Sequence, residues 1–342
     1  MDTRKVQQLG KSTLALTLPA KWTNENDVQK GDELTIHSNE LGILTLITDA
    51  PNQPNRIATV HAKDLDTQAL ERAIISQYVL GRQVIIIESD DELTDEHLAA
   101  VYGAEKQLMG LGVVEETPTD ISVRCSVNSE DFTIDNLIDR LETTGSTMRS
   151  EATKAFLHGN TELARRAINR ERQANKIFVL LLRLIFTSYR SPKQVRAVGL
   201  EKELDLIGYR SVAKNLELTA DDAEDIANVV VTTDGETSVA DRSIRRKLAE
   251  FSTQVDELSS LAIRAIVERD YDLYIQCRKR FADIEADEEA ILAELPDTES
   301  AELLQIRQVL VSLHQTAEYA MRNAEIAANF ALNQESRYVT IH

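Results

Sequence analysis

Between residues 208 and 231 the chain reads GYRSVAKNLELTADDAEDIANVVV, and its apolar positions Val212, Leu216, Ala220, Ala223, Ala227 and Val230 recur at steps of three and four. That spacing lines one narrow side of a helix, the side that is buried. Glu217 and Asp221 lie four apart on one face, with Asp222, Glu224 and Asp225 close by. Like charges within one turn repel, so either solvent or a cation must screen them. The pattern then recurs: Leu313, Ala317, Glu318, Ala320 and Ala324 repeat Leu216, Ala220, Asp221, Ala223 and Ala227 in register. A duplicated segment of this kind predicts two copies of one helical unit, each ending in such a helix.

The remaining pattern divides the chain. Helical periodicity runs from residue 132 to 332: helices are expected over 133–157 and 161–189, the second ended by Ser191-Pro192, then the helix at 208–231, starting as early as Ala197. Residues 232–238 break the two copies, and the second copy is expected as helices over 239–268, 271–295 and 298–332. Loops this short force neighbouring helices antiparallel. Upstream, residues 56–128 alternate strand and helix signals, which predicts a small α/β sheet with two helices, Gly81 and Gly112 capping them. They hold no phosphate-cradling glycine motif and read as a structural connector. Pro51 to Asn55 reads as a linker.

Residues 4–48 carry short alternating runs: Leu14, Leu16 and Leu18, then Leu34 with Ile36, then Leu44 with Leu46. Pro19 can open a helix at Ala20, and Gly31-Asp32 turns the chain back into strand. Strands this short bury too little alone, so this segment is expected to dimerise. The fold class expected is a multidomain, mainly α chain: a β domain over 1–48, an α/β segment over 56–128, and three-helix repeats over 131–231 and 239–333.

Two family resemblances follow from these residues. Leu216, Glu217, Ala220, Asp221, Ala223 and Asn228 supply a close version of the L-E-R-I-A-D-H-A-x-N-I-A pattern of third helices in PhoU-type phosphate-uptake regulators. The N-terminal order of strand, strand, LPA-K-W helix and V-x-K-G-D-x-L-x-I strand resembles the SpoVT/AbrB swapped-hairpin DNA-binding domain. The second resemblance implies a dimer that faces DNA through Arg4, Lys5, Lys11, Ser12 and Lys21. Archaeal proteins that join these two domains have a similar middle segment.

Composition limits these implications. The net charge is −19, from 57 Asp and Glu against 38 Lys and Arg. Such an acidic, lysine-poor balance resembles proteins of salt-loving archaea, and it repels nucleic acid in dilute buffer, so DNA contact must rest on a local surface. Cys125 and Cys277 show no metal-ligand spacing and read as reduced thiols of a cytoplasmic protein. The first residues carry no secretory-signal pattern. The most apolar run, 177–186, contains Arg183 and is too short to span a bilayer, so it reads as a buried bundle helix with no membrane insertion.

The PhoU resemblance implies acidic clusters between the second and third helices of each repeat that can hold divalent or iron ions. In the first repeat the candidates are Glu171, Glu217, Asp221 and Asp225. Arg172 stands where the family pattern has an acid, so an internal salt bridge can replace a metal there. In the second repeat they are Asp283, Asp287, His314 and Glu318, with Glu285 and Glu288 in the same run. A salt-adapted, solvated acidic face accounts for the same residues without any metal. His61, His97 and His158 have no partners at useful spacing. With no nucleophile elbow, Walker loop or zinc signature, the chain is not expected to be an enzyme. The function expected is a DNA-binding transcriptional regulator of phosphate uptake acting at promoters of phosphate genes, with the bundle as sensor or interaction module. The alternative is an adaptor that binds no DNA and restrains a phosphate transporter or a sensor kinase, with or without metal.

Overall fold

A computed structural model describes residues 3–38, 42–48, 57–189, 192–236, 239, 241–296 and 300–341. The linker expected at Pro51 to Asn55 lies outside them, as do Thr237 and Ser238 of the expected inter-repeat break, Ser191, and the 297–299 boundary. The chain forms two units, Met1–Arg56 and Ile57–His342, within a mainly α, multidomain fold.

In the first unit, β1 (Gln7–Leu9) pairs antiparallel with β2 (Thr13–Ala15) around Gly10, whose φ of 77° suits glycine. Helix α1 (Ala20–Glu25) follows Pro19, and β3 (Leu34–Ser38) pairs with β4 (Leu44–Thr48) in a separate two-stranded sheet. None of the described residues of this unit is buried. Leu14 and Leu44 are 69% and 68% exposed. Isolated two-stranded hairpins are marginal in water, and the described residues of this unit form no core of their own.

The second unit opens with a four-stranded sheet of β5 (Ile57–His61), β6 (Val84–Glu88), β7 (Leu111–Glu116) and β8 (Asp120–Cys125), in the order β5-β6-β8-β7. β5 and β6 are parallel and the other pairs antiparallel. The parallel pair needs a crossover, supplied by α2 (Thr67–Val79); α3 (Asp95–Gln107) leads into β7. Asp66 caps α2 by accepting from Ala69 N at 2.7 Å. Thr94 caps α3, and the buried His97 accepts from Thr94 N through Nδ1 at 3.3 Å. His97 therefore closes a capping box, a partner three residues away that spacing for catalysis or metal does not reveal. The expected glycine caps hold only in part. Gly81 follows α2 with φ 85°, whereas Gly112 lies inside β7 and Gly110, with φ 71°, makes the turn.

The helical part comprises α4 (Ile134–His158), α5 (Thr161–Ser188), α6 (Pro192–Ala197), α7 (Asp205–Thr232), α8 (Arg242–Glu268), α9 (Tyr271–Glu294) and α10 (Ala301–Leu332). Side-chain caps at Thr133, Asn160, Asp241, Asp270 and Ser300 set five of the starts. Pro192 opens α6 instead of merely ending α5, and α7 starts at Asp205, not Ala197. The six long helices pack so that α4, α7, α10 and α8 close a four-helix ring, with α5 outside α4 and α7 and α9 outside α8 and α10. All six apolar stripe positions of α7 are buried.

Helices α7 and α10 pack antiparallel. An added Cβ on Gly208 would lie 2.5 Å from Phe330 Cζ; Asn215 Nδ2 donates to Asn323 Oδ1 at 2.8 Å; Thr316 Oγ1 donates to Asp222 Oδ2 at 3.3 Å. Each step of seven along α7 is thus matched by seven back along α10, and the duplicated segments pack on one another.

The α/β part is not merely tethered to the bundle. Arg183 of α5, buried, donates to the carbonyls of Tyr78 and, at 3.1 Å, Arg82, and its guanidinium lies 4.7 Å from the Tyr78 ring centre. The Tyr78 carbonyl lies in the last turn of α2, where a cation opposes the negative end of the helix dipole, and the Arg82 carbonyl lies in the turn after it. The arginine in the apolar run at 177–186 therefore joins the two layers.

Candidate functional site

The cations expected to face DNA stay at the surface. Arg4 and Lys5 precede β1, Lys11 and Ser12 form the β1–β2 turn, and Lys21 lies on α1; all five are exposed. Lys21 sits 3.8 Å from Glu25 one turn on.

In the first repeat, α5 brings Glu171 to the face of α7 that carries Glu217 and Asp221. Burial, followed by Glu217, pushes the Asp221 carboxyl up to about 6. Burial and then Glu224 raise Glu171. Burial raises Glu224 as well, followed by Asp225. The cluster is therefore Glu171, Glu217, Asp221 and Glu224, with Glu224 in the place expected for Asp225, which is exposed. Glu224 lies seven residues beyond Glu217, two helical turns, and that spacing could have singled it out. Arg172 is exposed and makes no close ion pair among the described residues; against burial and Glu224, which raise the Glu171 carboxyl, its charge pulls that carboxyl down. Lys214 makes the close contact instead, bonding Glu217 from one turn away.

In the second repeat, His314 Nδ1 of α10 lies 2.6 Å from Glu288 of α9, and its Nε2 lies 3.7 Å from Glu318. Asp283 and Asp287 do not join them. Asp287 accepts from Gln254 of α8 at 2.8 Å, and Asp283 lines a recess of about 400 Å³ between α8 and α9. Adjacent positions on a helix differ by about 100°, so Asp287 and Glu288 face different neighbours.

Carboxylate oxygens suit a hard cation, but among the described residues no three His, Cys, Asp or Glu side chains stand close enough to hold one. With Lys214 already bonded to Glu217, the residues as placed do not fit a metal ion, and none enters the function argued below.

Residues 138–230 match the family model described as PhoU domain. The match runs from the second turn of α4 to near the end of α7, so it spans the first repeat and the acidic face between α5 and α7. Among solved structures, the chain is similar to the crystal structure of PhoU from Pseudomonas aeruginosa, at 18% identity and a TM-score of 0.46, over 58% of this chain and 94% of that one. No curated protein matches the chain. Among the described residues, no helix is long and apolar enough to cross a membrane.

Proposed function

We propose that this chain is a cytoplasmic regulator of phosphate uptake in which an N-terminal dimer, residues 1–48, binds promoter DNA. In this reading residues 131–231 and 239–333 form a sensor or interaction module, and 56–128 connect the two. The observation that carries the phosphate part is the match of residues 138–230 to the PhoU domain. The DNA part is supported by the resemblance of residues 4–48 to SpoVT/AbrB domains and by the exposure of Arg4, Lys5, Lys11, Ser12 and Lys21. Dimerisation is supported by the exposed Leu9, Leu14, Ile36 and Leu44 of a unit with no buried described residue. Two DNA-binding surfaces on one dimer raise affinity through effective concentration, which offsets an acidic background.

The net charge of −19 favours a second reading, an adaptor that binds a transporter or kinase component and no DNA. Fluorescence anisotropy of the full chain on promoter DNA from a phosphate-transport operon, in concentrated potassium chloride, separates the two. Binding that disappears in the Arg4→Ala, Lys5→Ala, Lys11→Ala variant while the dimer persists supports the regulator. Absence of binding by the unaltered chain leaves the adaptor.

A further inference from the structure

One helix face runs against the acidic character of the chain. Residues 161–176, the first half of α5, hold five cations against two carboxylates, in a chain whose net charge is −19. At about 100° per residue, Arg165, Arg172 and Lys176 fall within about 20° of one line along α5, with Asn169 beside it. The contacts of α5 fix where that line points. Arg170 binds Glu151 of α4 at 2.8 Å on one flank, and Glu171 faces Glu217 and Asp221 of α7 on the other. Both flanks lie more than about 100° from the line, which therefore runs along the outer side of the helix, away from the bundle. Arg183, five full turns beyond Arg165, continues the same line and is buried under the α/β layer, where it meets Tyr78 and Arg82. Ahead of that joint, Arg165 and Arg172 are exposed and Lys176 is partly exposed, and none of the three makes a close ion pair among the described residues.

The composition of this face selects its occupant. Between residues 161 and 176 the exposed carboxylate is Glu162, in the first turn, while Glu171 turns to α7. No large apolar side chain of α5 ahead of Phe186 is exposed, so the face offers nothing to insert into a bilayer or to seat the apolar side of an amphipathic helix. It offers guanidinium, ammonium and side-chain amide donors over about 16 Å of helix. Guanidinium groups match phosphate oxygens with paired hydrogen bonds. A regularly charged phosphate backbone is the partner that such a stripe complements.

We propose that the outer face of α5 holds the phosphate backbone of DNA through Arg165, Arg172 and Lys176, with Arg166 and Asn169 at its sides. This contact rests on the promoter-binding reading above and extends it. The N-terminal dimer reads the sequence, and α5 adds a grip that is independent of sequence. It also supplies a local positive surface on a chain whose total charge repels nucleic acid.

The test is fluorescence anisotropy of the full chain on a labelled promoter duplex from a phosphate-transport operon, over a potassium chloride series. Each phosphate contact contributes about −0.9 to the slope of the logarithm of the association constant against the logarithm of salt concentration. The Arg165→Ala, Arg172→Ala, Lys176→Ala variant should bind more weakly, with a slope shallower by up to about 3. Its exposed alanines favour helix, so α5 is retained. The Arg278→Ala, Lys279→Ala, Arg307→Ala variant removes the same charge from exposed positions of α9 and α10 and should keep the unaltered slope. Equal slopes for the α5 variant and the unaltered chain overturn the α5 contact and leave the promoter reading standing. An equal loss in both variants does the same, because net charge then accounts for it. Labelled poly-glutamate, or vesicles containing phosphatidylserine, that bind the unaltered chain but not the α5 variant, with the DNA slope unchanged, overturn the contact in favour of an acidic protein segment or a membrane. A chain that binds no DNA at any salt concentration overturns both readings.

Discussion

Arg149 of α4 donates from Nε to Asp256 of α8 at 2.8 Å, joining the two repeats through a side chain that is fully buried. Its Nη2 donates to Glu142 at 3.1 Å, and Glu142 also accepts from Ser259 Oγ at 2.9 Å. Burial raises the Glu142 carboxyl against the opposing pull of Arg149. Arg149 Nη1 has no hydrogen-bond partner in the described structure, so the pair is held at a cost. Arg149→Met should lower stability by about 3–5 kcal/mol, because it leaves a buried carboxylate uncompensated. Combining it with Glu142→Leu and Asp256→Asn should recover most of the loss, as read from urea midpoints.

Gly208 marks the closest approach of α7 and α10. A methyl there would meet Phe330 Cζ at 2.5 Å and Ile326 Cγ2 at 3.0 Å. Helix propensity alone favours Gly208→Ala by up to about 1 kcal/mol, but overpacking costs about 1–3 kcal/mol. The variant should be destabilised. Gly208→Ala with Phe330→Leu should regain stability relative to Gly208→Ala in thermal unfolding.

Asp222 sits beneath the same seam, and burial pushes its carboxyl from an ordinary 3.8 up to about 7 although Thr316 donates to it. A carboxyl whose native pKa exceeds its unfolded value contributes stability that is complete below pH 3.8 and lost as pH rises through about 7. Asp222→Asn keeps an acceptor for Thr316 and removes the titration. The variant should gain stability over the unaltered chain at pH 8 and lose that advantage near pH 4, measured by denaturant titration at both pH values.

The joint between the α/β layer and the bundle is equally exposed to test. Arg183→Ala removes the guanidinium from the carbonyls of Tyr78 and Arg82, at about 1.5–3 kcal/mol for bonds to a charged group. Amide exchange should quicken first over the last turn of α2 and residues 80–82, while α8 and α10 remain protected. Gly81→Ala should act at the same place, because Gly81 has φ 85° and its added Cβ would collide with Thr187 of α5.

Helices whose buried positions repeat at helical spacing are legible in the residues alone. The stripe from Val212 to Val230 and its copy from Leu313 to Ala324 are local signals, carried by residues within two or three turns of one another. The acidic run of each repeat is legible in the same way. What those residues face depends on how the helices pack. Arg183 finds its acceptors about a hundred residues earlier, in α2 and the turn after it. Glu224, not Asp225, joins Asp221, and Glu288, not Asp287, meets His314, because the rotation of each helix about its axis is set by packing against neighbours distant in sequence. Arg172 offered the expected cation, but it is exposed and acts on Glu171 through its charge alone, while Lys214, one turn from Glu217 on its own helix, makes the close contact. Periodicity belongs to the chain's short-range order; the pairing of charges across helices belongs to long-range packing, which no stretch of residues contains.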